Sequence, residues 1–487
     1  MKGLVLVALA LALLTSGAGA EEWQRLPAVV HVHSRLSTGE DSIDKLARTA
    51  RREQIEALLL VENYLLRVEY GLAPFRALTR VTHEEPSILA AGVERYLTEV
   101  ARARLGHPEL VLVPGVEVIP HQHWSGSPLA RSMMLHNTQK NLLVFGLSDP
   151  AALRSLPASG NPYARAYAWQ SVIDVLPVLL IVPGLALLVS GRVRRVRVGR
   201  AIVVERRRSW LSGGLLVLVG VTTVVRAWPF TVDRYPPWQD FGVAPHQALI
   251  DHVDRLGGVT VWSFPEAADE GQRSVGGVRV GWRTDPYPDD LMRTFKYTAF
   301  GALYAQSTRF EQPGGRWDRL LAEYAAGERS RPAWGVGEAG LHALGDKPIG
   351  GIQTVFFVRE KTEAALLDAL KRGRLYALQR LPAGALELSE WSVTGGEAVA
   401  VSGQTLPVAA GGAIEVRIAV DATGSGADGI RVTLVRNGAV LDGWSGARSV
   451  RATHREVFDG RPVVFRIDAH GRPPHRILGS PIFVSPS

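Results

Sequence analysis

The chain has 487 residues and no cysteine. This excludes disulfides, thiolate metal sites, a cysteine nucleophile and a lipidated cysteine anchor. It also lacks an internal repeat and any long low-complexity tract, which sets solenoid architectures aside. Charged residues make up only 21% against 46% hydrophobic, so the chain is globular with some membrane-like content and not disordered. Excess positive charge is missing from most of its length. Eight arginines face one acid, Glu205, between Arg192 and Arg208, a net of +7 out of the chain's +8. A basic face for nucleic acid is thereby excluded. The length exceeds one compact core, so about two or three domains are expected.

What is present begins with a leader. Lys2, the apolar run Leu4 to Leu14 and the small residues Ser16 to Ala20 read as a secretory signal over 1–20. An uncleaved anchor is the alternative. Export without cysteine suits a bacterial envelope. Further on, the arginine segment lies between two apolar runs, Val172 to Ser190 and Trp210 to Trp228. Each spans about 19 residues, roughly 28 Å as helix, which matches a bilayer core. Pro177 and Pro183 are tolerated in membrane helices, and the tryptophans suit the interface. Positive loops stay cytoplasmic. Residues 169–228 are therefore expected to form a transmembrane hairpin, with the arginine loop inside. A pair of buried soluble helices is the rival reading. The expected location is the bacterial cell membrane, with the soluble domains on the extracytoplasmic side.

Outside the hairpin, strands and helices alternate. Ala28 to His33, Ala57 to Val61, Val111 to Val118, Asn141 to Leu147, Val259 to Pro265, Ala333 to Gly340 and Thr354 to Val358 are strand-like. Helical spacing recurs at Ile43 to Ala50, Gln247 to Leu256 and Thr362 to Arg372. Strand, helix, strand is the parallel crossover unit, so the class is α/β. Residues 266–330 read as a turn-rich segment and a candidate lid. From Gly384 the texture changes to short strands between glycine-rich turns, with a hairpin signal at Asn437-Gly438. That reads as an all-β sandwich over 384–487.

The chemistry concentrates at Val29-Val30-His31-Val32-His33-Ser34. Residues two apart on a strand face the same side, so His31 and His33 aim both imidazoles at one spot where the strand runs into a loop. That geometry suits a divalent metal; surface or capping rings are the bland alternative. Glu62 ends the second strand, and Glu117 lies near the end of the third.

In order and spacing, these pieces resemble the PHP family, the polymerase and histidinol phosphatase domains. His31-Val32-His33-Ser34 and Leu60-Val61-Glu62-Asn63 resemble its first two motifs. Pro114-Gly115-Val116-Glu117 resembles its third. Gly257-Gly258-Val259 through Phe264-Pro265 is similar to its strand ending His-Pro, and Gly337 to His342 to its last motif. Thr362 to Tyr376 resembles the helix that follows. The terminal Gly479-Ser480-Pro481-Ile482-Phe483-Val484 resembles the module closing exported members of the carbaryl-hydrolase-like branch. The resemblance implies a distorted (β/α)7 barrel built from 27–168 and 229–383 and interrupted by the hairpin. It implies a divalent ion (zinc, manganese or iron) held by His31, His33, Glu117 and His342, with Glu62 and Glu117 in catalytic roles.

The chain departs from the family at Asn63, Asn141 and Phe264, where histidines are expected, at Gly340, where an aspartate is expected, and at Glu62, which replaces an aspartate. A hydrolytic site with ions about 3.5–4 Å apart needs more ligands than remain. A single ion needs only three or four. Two functions stay open. One is a metal-dependent hydrolase of phosphoester, ester or amide substrates with a reduced site. The other is an inactive scaffold, with the metal absent, that binds a small molecule or envelope partner. His121, His123 and His136 are either replacement ligands or loop residues. Glu266 and Glu338 are acids near strand ends that either line the pocket or lie in loops.

Overall fold

The computed structural model describes residues 23–72, 75–190, 192–207, 209–306 and 308–487. The expected leader over 1–20 lies outside the described residues.

Near-continuous apolar runs become strands buried on both faces. Seven of them close a barrel: β1 (Gln24–Val32), β2 (Ala57–Asn63), β3 (Val111–Val118), β4 (Leu142–Phe145), β5 (Val259–Trp262), β6 (Ala299–Leu303) and β7 (Trp334–Leu341), which pairs back to β1. Neighbours run parallel except at β4, which is antiparallel to both β3 and β5. This alters the expected (β/α)7 pattern. Between β3 and β4 the chain forms a β-ribbon, His123–Ser127 with Ser132–His136, and no crossover helix, because an antiparallel return needs none. Inversion also puts the start of β4, where Asn141 sits, at the end where the other strands finish.

Two further differences concern 266–330 and Thr354 to Val358. The turn-rich segment contains β6, and its hairpin Asp269–Val275 with Val278–Thr284 joins the β-ribbon in a four-stranded sheet. The strand at Thr354 to Val358 lies outside the barrel. As β8 (Ile352–Val358) it pairs antiparallel with the first half of β1, while the second half of β1 pairs with β7. Helix α1 (Ile43–Arg52) links β1 to β2. It buries Ile43, Leu46, Ala47 and Ala50, and Ser42 caps it by accepting from the Lys45 N–H.

Helices Trp169–Val189 and Trp210–Ala227 are long and apolar enough to cross a membrane, by length and composition. They meet where both lack a side chain: a Cβ at Gly184 would lie 3.0 Å from Gly213 O, and one at Gly213 would lie 2.8 Å from Gly184 O. The arginine segment between them is a two-stranded ribbon, Arg192–Val198 paired with Ala201–Arg207.

β8 and β9 (Leu375–Gln379) carry the barrel sheet onward into the C-terminal part, where β9 pairs with Arg476–Gly479. A second sheet, built on Gly384–Gly395 and Ala413–Gly424, packs against this extension around Leu388, Val416, Val432 and Phe465. Buried ion pairs tie the two parts. Arg466 bonds both oxygens of Asp318 (2.5 and 2.7 Å), and Arg476 bridges Asp468 and Glu311 (2.7 and 2.9 Å). Burial opposes the charge on Asp468, but hydrogen bonds from His470 and Arg476 outweigh it and hold the carboxyl well below its usual range. That stabilisation is complete above the ordinary carboxylate value of about 3.9 and is lost as pH falls below it. Asp468→Asn is expected to lower the urea midpoint at neutral pH and to flatten its decline between about pH 4 and 2, read by tryptophan fluorescence.

Candidate metal centre

The site lies where the parallel barrel strands end. His31 does not reach it by simple alternation. The register of β1 against both neighbours slips between Val30 and Val32, so His31 is a bulged residue, and its φ is +73°. A bulge re-aims a side chain. The result brings His31 Nε2 to 2.9 Å from His33 Nε2. Glu117, from β3, places its oxygens 3.4 Å from each of these nitrogens. Ligand atoms of His31, His33 and Glu117 all lie within 4.8 Å of one another, and all three residues are buried.

These separations fit an ion. Tetrahedral ligands about 2.0–2.1 Å from zinc stand about 3.3 Å apart. Two more observations agree. His31 Nδ1 lies 2.6 Å from Glu338 Oε1. A carboxylate only accepts, so Nδ1 carries the hydrogen, and a neutral ring then presents the lone pair on Nε2. Glu338 is itself fixed, accepting from Ser263 Oγ (2.5 Å) and the Phe264 N–H (3.1 Å). Gly301 on β6 makes the room, since a Cβ there would run into Glu338 Oε2. Without an ion, burial opposes charge on His31, but Glu117 and Glu338 together raise it to about 9. Burial likewise opposes charge on Glu117, yet His31 and His33 pull it down to about 2. His33, buried beside that cation, is lowered to about 3.

The positions that depart from the family pattern have new work. Asn63 Nδ2 donates to Glu117 Oε2 (2.9 Å) and Asn141 Nδ2 donates to Glu117 Oε1 (2.5 Å). Two amides therefore satisfy the carboxylate from outside the histidine pair. Phe264 stacks on His31, with centroids 5.1 Å apart and planes at 17°, and meets Tyr304 edge-on at 5.1 Å. Gly340 accommodates that ring: a Cβ there would lie 2.6 Å from Phe264 Cζ. Both residues have positive φ, +41° and +56°.

No family model matches the chain, and no curated protein matches it. Solved structures give three similarities. A two-domain protein containing a predicted PHP-like metal-dependent phosphoesterase, from Bacteroides vulgatus ATCC 8482, is 11% identical at TM-score 0.37, covering 95% of each chain. A metal-dependent phosphoesterase candidate from Bifidobacterium adolescentis ATCC 15703 is 15% identical at 0.27, over 66% of this chain and 89% of that one. An amidohydrolase from Chromobacterium violaceum is 13% identical at 0.26, over 66% and 92%. At such scores none of them carries an argument about this chain's chemistry.

The remaining candidates lie elsewhere. His342 is exposed and stacks flat on His33, at 4.2 Å and 9°, with Nδ1 3.2 Å from Thr38 Oγ1; it stands outside the three-residue cluster. Glu62 points to the opposite side of β2 from Asn63. Its oxygens accept from the Ser34 N–H (3.0 Å) and Ser37 Oγ (2.5 Å), closing the loop after β1. Burial pushes it up to about 7 against those hydrogen bonds. His121, His123 and His136 form a stacked row with centroids 5.9 and 4.7 Å apart, and are outside the cluster. Glu266 accepts from the Arg309 and Phe310 N–H groups (2.6 and 3.0 Å) and shapes a loop. Glu338 is the residue whose role sequence spacing could not assign. Its position two before Gly340, in the last barrel strand, was the available signal.

Proposed function

We propose that the chain is a membrane-tethered, PHP-type protein that holds one divalent transition ion on His31, His33 and Glu117 and hydrolyses a phosphoester, ester or amide. The observation that carries this is the set of 2.9, 3.4 and 3.4 Å separations, with His31 oriented by Glu338. When bound, such an ion polarises a carbonyl or phosphoryl oxygen and acidifies water. The protein's share is positional. Glu338 fixes the His31 tautomer, and Asn63 with Asn141 hold the plane of Glu117. Phe264 supplies an apolar wall, and Lys347, whose ammonium lies 3.9 Å from where a Gly340 Cβ would be, adds a cation beside it. The tether is supported by the apolar helices, whose outer side chains are largely exposed, such as Leu179 (64%) and Leu211 (91%).

Metal analysis of the purified full chain tests this. About one zinc, manganese or iron per chain is expected, and His33→Ala should lose it. No bound transition metal in the wild type would overturn the reading. The Phe264–Gly340 pair favours a second reading, an inactive scaffold that binds a ligand or envelope partner in the cleft. Phosphoester turnover that disappears in His33→Ala would decide for the hydrolase.

A further inference from the structure

The two apolar helices end, on the barrel side, at a cavity of about 210 Å³. A second lobe of about 280 Å³ shares Arg76, Asp174 and Trp238 with it. Asp174 comes from the first turns of Trp169–Val189, and Ala227 from the last turn of Trp210–Ala227, so the floor is helix ends. The roof is the turn after Glu69, the short helix Arg76–Thr79 and the segment leading to Trp238.

Three arginines and three acids line this cavity, but they are unevenly paired. Arg165 is closed off by Glu69 (3.1 Å) and Asp233 (3.0 Å), which uses both acids. Arg76 and Arg80 form no ion pair among the described residues. Arg76 lies 3.8 Å over the Trp238 ring, and Arg80 donates only to Arg226 O (3.3 Å). Arg226 in turn donates to Leu78 O (3.0 Å), which clamps this turn onto the second apolar helix. Asp174 alone stands against the two arginines. Arg76 opens the short helix and Arg80 stands just past its end, both line the cavity, and two such guanidinium groups suit the oxygens of a phosphate. Leading away from the cavity along the first helix are Val172, Leu176 and Leu179, at least half exposed (65, 50 and 64%). An occupant that fits both halves is an amphiphile with a phosphate head and an apolar tail.

We propose that this cavity binds the phosphate headgroup of an anionic lipid through Arg76 and Arg80, with its acyl chains against the first apolar helix. The inference rests on the membrane-tether reading and is independent of the metal centre.

The test uses the full chain in nanodiscs of phosphatidylglycerol and phosphatidylcholine in equal parts, with retained lipid counted by native mass spectrometry. Retention of phosphatidylglycerol over phosphatidylcholine is expected. Arg76→Gln with Arg80→Gln should cut that retention about tenfold or more. Arg431→Gln, on an exposed sandwich strand, should leave it unchanged. Equal retention of the two lipids, full retention by the double variant, or emptying of the site by millimolar inorganic phosphate would each overturn the lipid assignment. An alkaline wash of native membranes separates the two readings. Release of the chain would overturn the tether and this proposal together. A chain that stays membrane-bound but shows no headgroup preference would overturn the cavity proposal alone.

Discussion

Gly340→Ala is expected to cost about 2–5 kcal/mol of folding stability, and much of that cost should vanish when Phe264 is also replaced by alanine. Two terms add at this glycine. Its φ of +56° disfavours any L side chain, by about 1–2 kcal/mol. Its Cβ would lie 2.6 Å from Phe264 Cζ and 3.0 Å from Cε2, an overpacking worth about 1–3 kcal/mol. Only the backbone term survives in Phe264→Ala. Residues in contact are non-additive in this way, and a double-mutant cycle on urea midpoints measures it. Equal costs in both backgrounds would mean that the ring and the glycine are uncoupled. If the coupling holds, the two departures from the family pattern are one event. An aspartate cannot return to position 340 without strain while phenylalanine stacks on His31, so restoring that ligand alone costs stability.

Asp318→Ala is expected to lose about 3–5 kcal/mol, because it strands the Arg466 guanidinium inside the protein. Arg466 is 1% exposed and Asp318 7%. Among the described residues Arg466 Nη1 has no partner even with the pair intact, and the guanidinium lies 5.1 Å over the Trp317 ring. Removing both charges together, as Asp318→Leu with Arg466→Met, should recover most of the loss, since a buried pair is worth little over a packed apolar one. Calorimetry distinguishes the outcomes. A double variant as unstable as the single one would show that packing at this junction, and not desolvated charge, sets the cost.

The apolar runs made most barrel strands legible, because a strand buried on both faces needs no alternation to be visible. Strand direction was not legible. Leu142–Phe145 reads the same whether it runs with or against its neighbours, and the β-ribbon before it only looked like a polar loop. β6 was hidden by its length and by Gly301, a residue that weakens a strand pattern and is present to make room for Glu338. At the site, the convergence of His31, His33 and Glu117 followed from the motifs, though not by the strand alternation expected for the two histidines. The bulge at His31 did not, since it depends on how β1 registers against two strands at once. Nor did the roles of Asn63 and Asn141. As replaced ligands they suggested only loss, whereas both donate to Glu117. His342 kept its place in the sequence motif, yet its ring lies face to face with His33 and outside the three-residue cluster.

The break in the barrel between β4 and β5 has a kinetic consequence. β4 pairs with β5 across more than a hundred residues of chain, and β1 closes on β7 only after Leu341 has been made. A chain folded only as far as residue 145 would be an open sheet with unpaired edges at β1 and β4; β5 covers the second of these, and the first waits for β7 and β8. Non-local pairings of this kind form slowly, and bare strand edges invite association with other chains. The three metal ligands are all encoded before residue 118, yet they gain Glu338 only at barrel closure.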